Sequence, residues 1–533
     1  MIHKHVQYYF RHIKDDLPAG IVVFLVALPL CLGIALASGA PLFSGLIAGF
    51  VGGLVVSWLS GSQLSVSGPA AGLTVIVFNA IETLGSFQGL LLAGVLAGVL
   101  QILLGYLRAG IIGAFFPSAV IKGMLAAIGL ILIIKQIPHA TGYDNHYEGD
   151  ESYMRETASS SFSDLLQAFQ GVSQGAMAIS LIALGIILLW ETSWIKRRKW
   201  LSMIPAPLLV VIWGVSYNFF TLQFAPDWSV SDVHLVKLPV TEHLSDFWAN
   251  FMFPDFSYFT NPKLYQVAFT IAIIASLETL LSLEATDKLD PLKRIAPTNR
   301  ELKAQGWGNI ISCALGGLPI TAVIVRSAAN INAGGKTSLS CFLHGCLLLS
   351  SVLFFAQYLN YIPLPALSAI LLHTGYKLAK PALFIEFYTK GMSQFIPFLM
   401  TVVVILLTDL LIGISLGMVI GLFFVLKTNY SAAISLVKVD DRWVLSFNKD
   451  VSFLNKALLR KCILQIPENS IVVVDATKAH FIDHDILETL EDFLSTAPDD
   501  NIHVEITGLY DKEEIKQHDS LTILNKLRVA KLA

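Results

Sequence analysis

Charge is scarce in this chain. Only 14% of its 533 residues are Asp, Glu, Lys or Arg, where a soluble domain carries about 25%. Mean hydropathy is +0.65 and 54% of residues are hydrophobic, which excludes an ordinary soluble globule and reads as a membrane protein. A formal net charge of −3 argues neither for nor against nucleic acid, and none is expected as a partner. Cysteine is nearly absent. The five (Cys31, Cys313, Cys341, Cys346 and Cys462) have no metal-ligand spacing, and four lie in apolar stretches, so neither a metal site nor a disulfide framework is expected. Residues 1–16 lack the apolar core and small-residue cleavage site of a signal peptide, so the first apolar stretch is read as a retained span. Gly334-Gly335-Lys336-Thr337 ends like a phosphate loop, but no Gly-x-x-x-x-Gly and no soluble helix frame it, so nucleotide binding is rejected. With no nucleophile–base pair and no glycine-rich or metal motif, no enzyme chemistry is expected and no cofactor is implied.

What is present is a series of apolar runs. About 20 apolar residues cross a bilayer as a helix. Clear candidates are 17–37, 43–59, 90–107, 120–137, 177–194, 204–220, 267–283, 340–355, 395–411 and 412–427. Weaker ones, short or semi-polar, are 66–84, 302–315, 319–333 and 363–376. Together they make fourteen segments. The link Lys196-Arg197-Arg198-Lys199 is purely basic, and the link after the eighth segment is rich in Lys and Arg. Residues 144–164 hold six acids and one base, and 227–255 hold five acids and one base. Fourteen segments starting in the cytoplasm put the basic links inside and the acidic ones outside, as the positive-inside rule requires. Both termini are then cytoplasmic, in an inner (plasma) membrane.

After Lys427 the pattern changes. Residues 442–447 and 502–507 alternate like strands, 471–475 is a β-branched run, and 483–494 carries Ile486, Leu487, Leu490 and Phe493 on one helical face. This predicts a small cytoplasmic α/β domain. The domains are therefore an N-terminal segment 1–16, a membrane domain 17–430 and a soluble domain 438–533.

Two opposite charges stand out in the membrane part. Glu278 and Arg326 lie in runs otherwise almost uncharged. Each costs at least ~2.5–3.5 kcal/mol at membrane depth and is rarely kept without a role. Arg326 follows Gly316-Gly317-Leu318-Pro319, and Ser67-Gly68-Pro69-Ala70-Ala71 has the same grammar some 250 residues earlier. In both, flexible residues, a proline and small residues precede a helical run. Gly/Pro-interrupted segments at corresponding positions of two halves point to a transporter binding site. Two helices starting at Pro69 and Pro319 and meeting end to end would bind an anion with free N–H groups and dipoles. Arg326, seven residues past Pro319, would lie about two turns into its helix. It either faces the anion or pairs with Glu278. A buried carboxylate favours its neutral form, so Glu278 either carries a coupling proton or stands as a fixed ion-pair partner. Ser282, one turn later, shares its face. Lys122, Lys135, His373 and Asp409 are read as structural, the two lysines as snorkelling toward the span ends.

These stretches resemble the SulP sulfate-permease family of anion transporters and channels. The matching text includes Asp16-Leu17-Pro18-Ala19-Gly20, Ser67-Gly68-Pro69, Phe116-Pro117-Ser118-Ala119-Val120-Ile121-Lys122-Gly123, Ser276-Leu277-Glu278-Thr279-Leu280-Leu281, Asn299-Arg300-Glu301-Leu302, Gln305-Gly306-Trp307-Gly308-Asn309 and Arg326-Ser327-Ala328-Ala329-Asn330. The resemblance implies two inverted repeats of seven segments, a core and a gate domain as in uracil permeases, a cytoplasmic STAS domain and a homodimer. It implies an anion between segments three and ten, held by Gly68, Ala70, Ala71, Ala322, Val323, Ile324, Val325 and Arg326. It makes Glu278, with Ser282, the coupling-ion position. Sodium-coupled members carry Asp there and a threonine in segment ten. This chain has Glu278 and Ala322-Val323-Ile324, so the resemblance favours a proton over sodium. In the STAS half, Asp483-His484 stands where regulatory relatives carry a phosphorylated serine. The expectation is a secondary active transporter of a small oxyanion, bicarbonate or sulfate, coupled to protons. The alternatives are an anion channel, a sodium-coupled bicarbonate symporter, a C4-dicarboxylate transporter or an anion sensor.

Overall fold

A computed structural model describes residues 12–111, 117–142, 173–198, 204–240, 250–408 and 410–508. The acidic link 144–164, Asp409, Phe116 and the two chain ends lie outside the described residues. The chain divides into two compact units, with the division inside its last apolar helix at Met418 and Val419.

The first unit is helical. In chain order it contains α1 (Ile13–Ala37), α2 (Leu42–Leu59), strand β1 (Ser67–Gly68), α3 (Thr74–Leu84), α4 (Phe87–Tyr106), α5 (Ser118–Thr141), α6 (Gln174–Glu191) and α7 (Ala206–Phe224). It continues with α8 (Pro262–Leu289), α9 (Thr298–Ala314), strand β2 (Thr321–Ala322), α10 (Ile324–Asn332), α11 (Leu339–Leu359), α12 (Leu364–Leu378), α13 (Pro381–Thr389) and α14 (Met392–Leu407). The last apolar helix, α15 (Leu410–Ala433), spans the division. Among the described residues, α1, α2, α4–α8 and α11 are long and apolar enough to cross a membrane. Every apolar run read from the sequence coincides with a helix or an interrupted helix. The short α13 was not anticipated.

Small residues set how closely the helices approach. Lipid supplies no hydrophobic drive between helices, so close backbone packing takes that role. A Cβ on Gly45 of α2 would lie 2.1 Å from the Cys31 carbonyl oxygen of α1. Gly53 of α2 faces Gly345 of α11, and Gly98 of α4 faces Gly306 of α9. A second group packs likewise: Gly129 of α5 against Gly375 of α12, and Gly123 of α5 against Phe398 and Thr401 of α14. In α2 the helix widens into a π turn at Gly52–Val56. There Gly52 lets β1 come so near that a Cβ would sit 2.3 Å from the Ser67 carbonyl oxygen.

The Gly334-Gly335-Lys336-Thr337 loop binds a side chain of the same unit. The backbone N–H groups of Lys336 and Thr337 donate to Asp16 Oδ1 at 2.7 and 3.0 Å, and the Thr337 hydroxyl donates to Asp16 Oδ2. The loop captures a carboxylate of α1.

The second unit contains β3 (Ile434–Val439), β4 (Arg442–Phe447), helix α16 (Lys456–Ile463), β5 (Ile471–Asp475), helix α17 (His484–Thr496) and β6 (His503–Thr507). β3 pairs antiparallel with β4, while β4–β5 and β5–β6 are parallel. Leu445, Phe447, Val472 and Val474 form its core with Ile486, Leu487, Leu490 and Phe493 of α17. The sheet starts at Ile434, four residues before the boundary read from the sequence. β3 and α16 were not anticipated.

Candidate functional site: a strand crossing between two broken helices

The interrupted segments meet in the first unit. β1 and β2 pair antiparallel, Ser67 with Ala322 and Gly68 with Thr321. The helix after each strand therefore leaves the crossing in the opposite direction, and the two helix starts flank the same point. A single 3₁₀ turn, Ala71–Leu73, precedes α3, and α10 starts at Ile324 with Val323 extended before it.

This corrects the helix starts expected at Pro69 and Pro319. Two residues on each side are drawn into strand pairing, so the prolines lie outside any helix and the helices begin later. Arg326 consequently falls in the first turn of α10, not two turns in.

Buried polar side chains hold the crossing. Irregular backbone at membrane depth must find partners inside the protein. The Ile320 N–H donates to Asn309 Oδ1 at 2.6 Å, and Asn309 Nδ2 donates back to the Ile320 carbonyl at 3.1 Å. The same Nδ2 donates to Gln101 Oε1 at 2.7 Å. Gln305 Nε2 donates to Ser67 Oγ at 2.7 Å and to Glu301 Oε1 at 3.0 Å. Ser60 donates to the other Glu301 oxygen. The Ala322 N–H donates to Thr279 Oγ1 at 3.3 Å, and the Val66 N–H to Ser327 Oγ at 3.0 Å. Glu301, Gln305 and Asn309 are wholly buried, and their spacing of four puts them on one face of α9.

Sequence reasoning passed over this stripe, although polar residues four apart in an apolar setting are its signal. Replacing Asn309 with leucine would strand both polar groups of Ile320. Each unpaired buried group costs about 1–3 kcal/mol, so Asn309→Leu is expected to lower the thermal unfolding temperature of the detergent-purified protein by several degrees. An unchanged unfolding temperature would refute this account of the stripe.

Each of the two charges lies against a glycine of the same segment. Arg326 is wholly buried and its Nη2 donates to the Pro69 carbonyl at 3.2 Å. A Cβ on Gly68 would lie 2.3 Å from Arg326 Nη1. Nε and Nη1 have no hydrogen-bond partner among the described residues. The Cys31 thiol lies beside the guanidinium, and the buried His344 imidazole of α11 is within its electrostatic reach. Glu278 of α8 instead meets Gly72, where a Cβ would lie 2.5 Å from its Oε1. Its Oε2 is buried without a hydrogen-bond partner. No ion pair joins Glu278 to Arg326 among the described residues.

The remaining sequence-derived positions divide by access. Gly68, Ala70 and Ala322 are buried; Ala71, Val323 and Ile324 are half-buried; Val325 is 49% exposed. The structure thus gathers Gly68 to Ala71 and Ala322 to Arg326 around one crossing, with an accessible rim on the α10 side. Ser282 is buried one turn from Glu278, and its carbonyl accepts the Thr286 hydroxyl at 2.7 Å. Gly72, Thr279, Gln305 and Asn309 belong to the same assembly and were absent from the sequence reading of the site. Among the described residues no cluster of three or more His, Cys, Asp and Glu side chains suits a metal.

Opposed helix starts around a buried arginine, inside a bundle of apolar helices, define a helical membrane transporter fold. The transmembrane domain of a cyanobacterium bicarbonate transporter BicA matches with a TM-score of 0.63 at 22% identity, over 76% of this chain and 98% of that one. Murine Solute Carrier 26 family member A9, an anion transporter in the inward-facing state, matches with 0.75 at 15% identity, over 96% and 88%. Likeness at these identities establishes the fold.

Family follows from sequence. The model of the sulfate permease family matches residues 13–401, and the chain belongs to that family, whose members are membrane anion transporters and not enzymes. The putative sulfate transporter YvdB of Bacillus subtilis (strain 168) is 28% identical over 421 residues, 79% of this chain and 75% of that protein.

Proposed function

We propose that this chain is a secondary active transporter of a small inorganic oxyanion, bicarbonate or sulfate, that works by alternating access and is coupled to protons. The observation that carries this reading is the crossing itself. Arg326 and Glu278 lie on Gly68 and Gly72 of one short segment, beside two opposed helix starts that offer N–H groups to an anion. The anion occupies the rim formed by Ala71 and Val323 to Val325, over Gly68, Ala70, Ala322 and Arg326. Glu278, with Ser282 on its face, carries the proton.

Fourteen segments in two inverted repeats of seven complete the architecture. Helix packing supports them. A seven-segment offset relates α2 to α9 and α4 to α11, and the glycine contact of α2 with α11 has its counterpart in that of α4 with α9. The membrane domain covers 17–430, after a cytoplasmic segment 1–16. The C-terminal sheet and helices support a cytoplasmic STAS domain, read from the sequence as 438–533 and extended at its start to Ile434 by β3. The protein works as a homodimer in the inner membrane with both termini cytoplasmic.

Uptake into proteoliposomes under an inwardly directed proton gradient tests the reading. Labelled sulfate or bicarbonate is expected to accumulate above equilibrium and to stop when the gradient is collapsed. Accumulation that requires sodium and ignores pH rejects the proton assignment. Voltage-scaled currents without concentrative uptake reject the coupled mechanism.

A further inference from the structure

Glu301 is a buried carboxyl that the transport reading leaves without a role. It is wholly buried in the first turn of α9, and among the described residues no cation lies within ion-pair distance of it. The helices α2 and α4, which pack against α9, carry no charged side chain. Its charged neighbours are Asp287 of α8 and Arg300, the adjacent residue, whose Nε donates to the Leu59 carbonyl at 2.9 Å. The Cys341 thiol of α11 also lies within electrostatic reach. Two influences on the carboxyl oppose one another. Burial without a counter-ion disfavours the ionised form. The positive end of α9 and two hydrogen-bond donors favour it.

The hydrogen bonds around Glu301 can run in two directions. As described, both of its oxygens accept: Oε2 from the Ser60 hydroxyl and Oε1 from Gln305 Nε2 at 3.0 Å. That is the pattern of an ionised carboxylate, which has no proton to give. Gln305 Nε2 also donates to Ser67 Oγ at 2.7 Å, while Gln305 Oε1 is buried with no hydrogen-bond partner among the described residues. A half-turn of the amide exchanges its two ends. Oε1 then faces Glu301 and Ser67 with two lone pairs. It accepts from a neutral Glu301 and from the Ser67 hydroxyl. One amide end is unpaired in either arrangement, so the count of bonds does not choose between them. Ser67 pairs with Ala322 in the crossing. The charge of Glu301 thus decides whether the Ser67 hydroxyl hydrogen is given to Gln305 or left to the crossing. Aqueous protons are close. Ser60 Oγ accepts the Ser62 N–H at 3.0 Å, and Ser62 lines a half-open cleft of about 240 Å³ between the link 61–64 and the end of α8.

We propose that Glu301 is a second proton-binding site, separate from Glu278, and that Gln305 passes its charge state to Ser67 in the crossing. A proton from water in the cleft forms one O–H bond, on the Glu301 oxygen that faces Gln305. The amide turns to accept it, and the Ser67 hydroxyl turns to the amide. Proton binding here adjusts the crossing and is not the coupling assigned to Glu278.

Infrared difference spectra of the purified full chain, taken between high and low pH, test the site without transport. The carbonyl stretch of protonated carboxylic acids grows as pH falls. One component of it is expected to be lost in Glu301→Gln and shifted in Glu301→Asp. Gln305→Met removes the acceptor and is expected to move the midpoint of that component by about one pH unit or more. If Glu301→Gln loses no component, the inference is overturned. A component that Gln305→Met leaves in place overturns the link to Ser67. The effect at the crossing is read from exchange of labelled sulfate at equal pH on both sides of the vesicle. Wild-type exchange is expected to change about five-fold through the same midpoint, with no such step in Glu301→Gln. A step that survives in Glu301→Gln overturns the control of the crossing. Vesicles that carry neither sulfate nor bicarbonate reject the transport reading, and the spectra still decide this one.

Discussion

Glu278→Gln is expected to abolish proton-gradient-driven accumulation in proteoliposomes while one-for-one anion exchange persists within about three-fold of wild type. The carboxyl lies on α8 against Gly72, with one oxygen buried and unbonded and no cation paired with it among the described residues. An unpaired intramembrane carboxyl is retained where its charge changes during the cycle. Glutamine keeps the size and the hydrogen-bonding ability of the neutral form and carries no proton. The variant therefore fixes the site in one state. Exchange needs only that state, whereas accumulation needs both. Undiminished accumulation by Glu278→Gln under the same gradient would remove Glu278 from the coupling step. The competing role, a fixed ion-pair partner of Arg326, predicts loss of stability and of exchange together.

Arg326→Met is expected to cut transport at least a hundred-fold, and Arg326→Lys is expected not to rescue it. The guanidinium donates to the Pro69 carbonyl while its other nitrogen lies over Gly68. A planar fork can do both; a single ammonium on a flexible stem cannot. Removing it leaves a buried carbonyl unpaired at about 1–3 kcal/mol, so stability falls as well. Two readouts separate the effects. An anion that binds only the folded protein raises its unfolding temperature. Sulfate or bicarbonate should therefore stabilise the wild type and leave Arg326→Met unmoved. A variant that is still stabilised by anion and still transports would reduce Arg326 to a structural tie.

Much of this was legible because it depends on local chemistry. Apolar length identifies the long membrane helices, α1, α2, α4 to α8 and α11, since nothing else accommodates such runs. The paired Gly/Pro grammar located both interruptions, because a broken helix at membrane depth needs residues that tolerate irregular backbone. Strand and helix periodicity found β4, β5 and α17 within a residue or two.

The rest depends on partners distant in the chain. Pro69 and Pro319 read as helix starts in isolation, and only the pairing of Ser67 with Ala322 moves those starts to Ala71 and Ile324. The face of Glu301, Gln305 and Asn309 is visible as a spacing. That it serves Ser67 and Ile320 is not, because Ser67 is 238 residues away. Whether Glu278 and Arg326 pair was left open by the sequence, since both are charged and apolar-flanked. Gly68 and Gly72 take one each.

The brevity of β1 and β2 has a consequence for variation. A joint of two residues per strand has no slack, since a slip of one residue exchanges its faces. If the proposed anion site is right, side chains on the rim, from Val323 to Val325, can vary in size and polarity and so alter which anion is taken. The chain length from Gly68 to Gly72 and from Ala322 to Arg326 cannot. Functional diversity at this crossing is therefore open to substitution and closed to insertion or deletion, the reverse of what a surface loop permits.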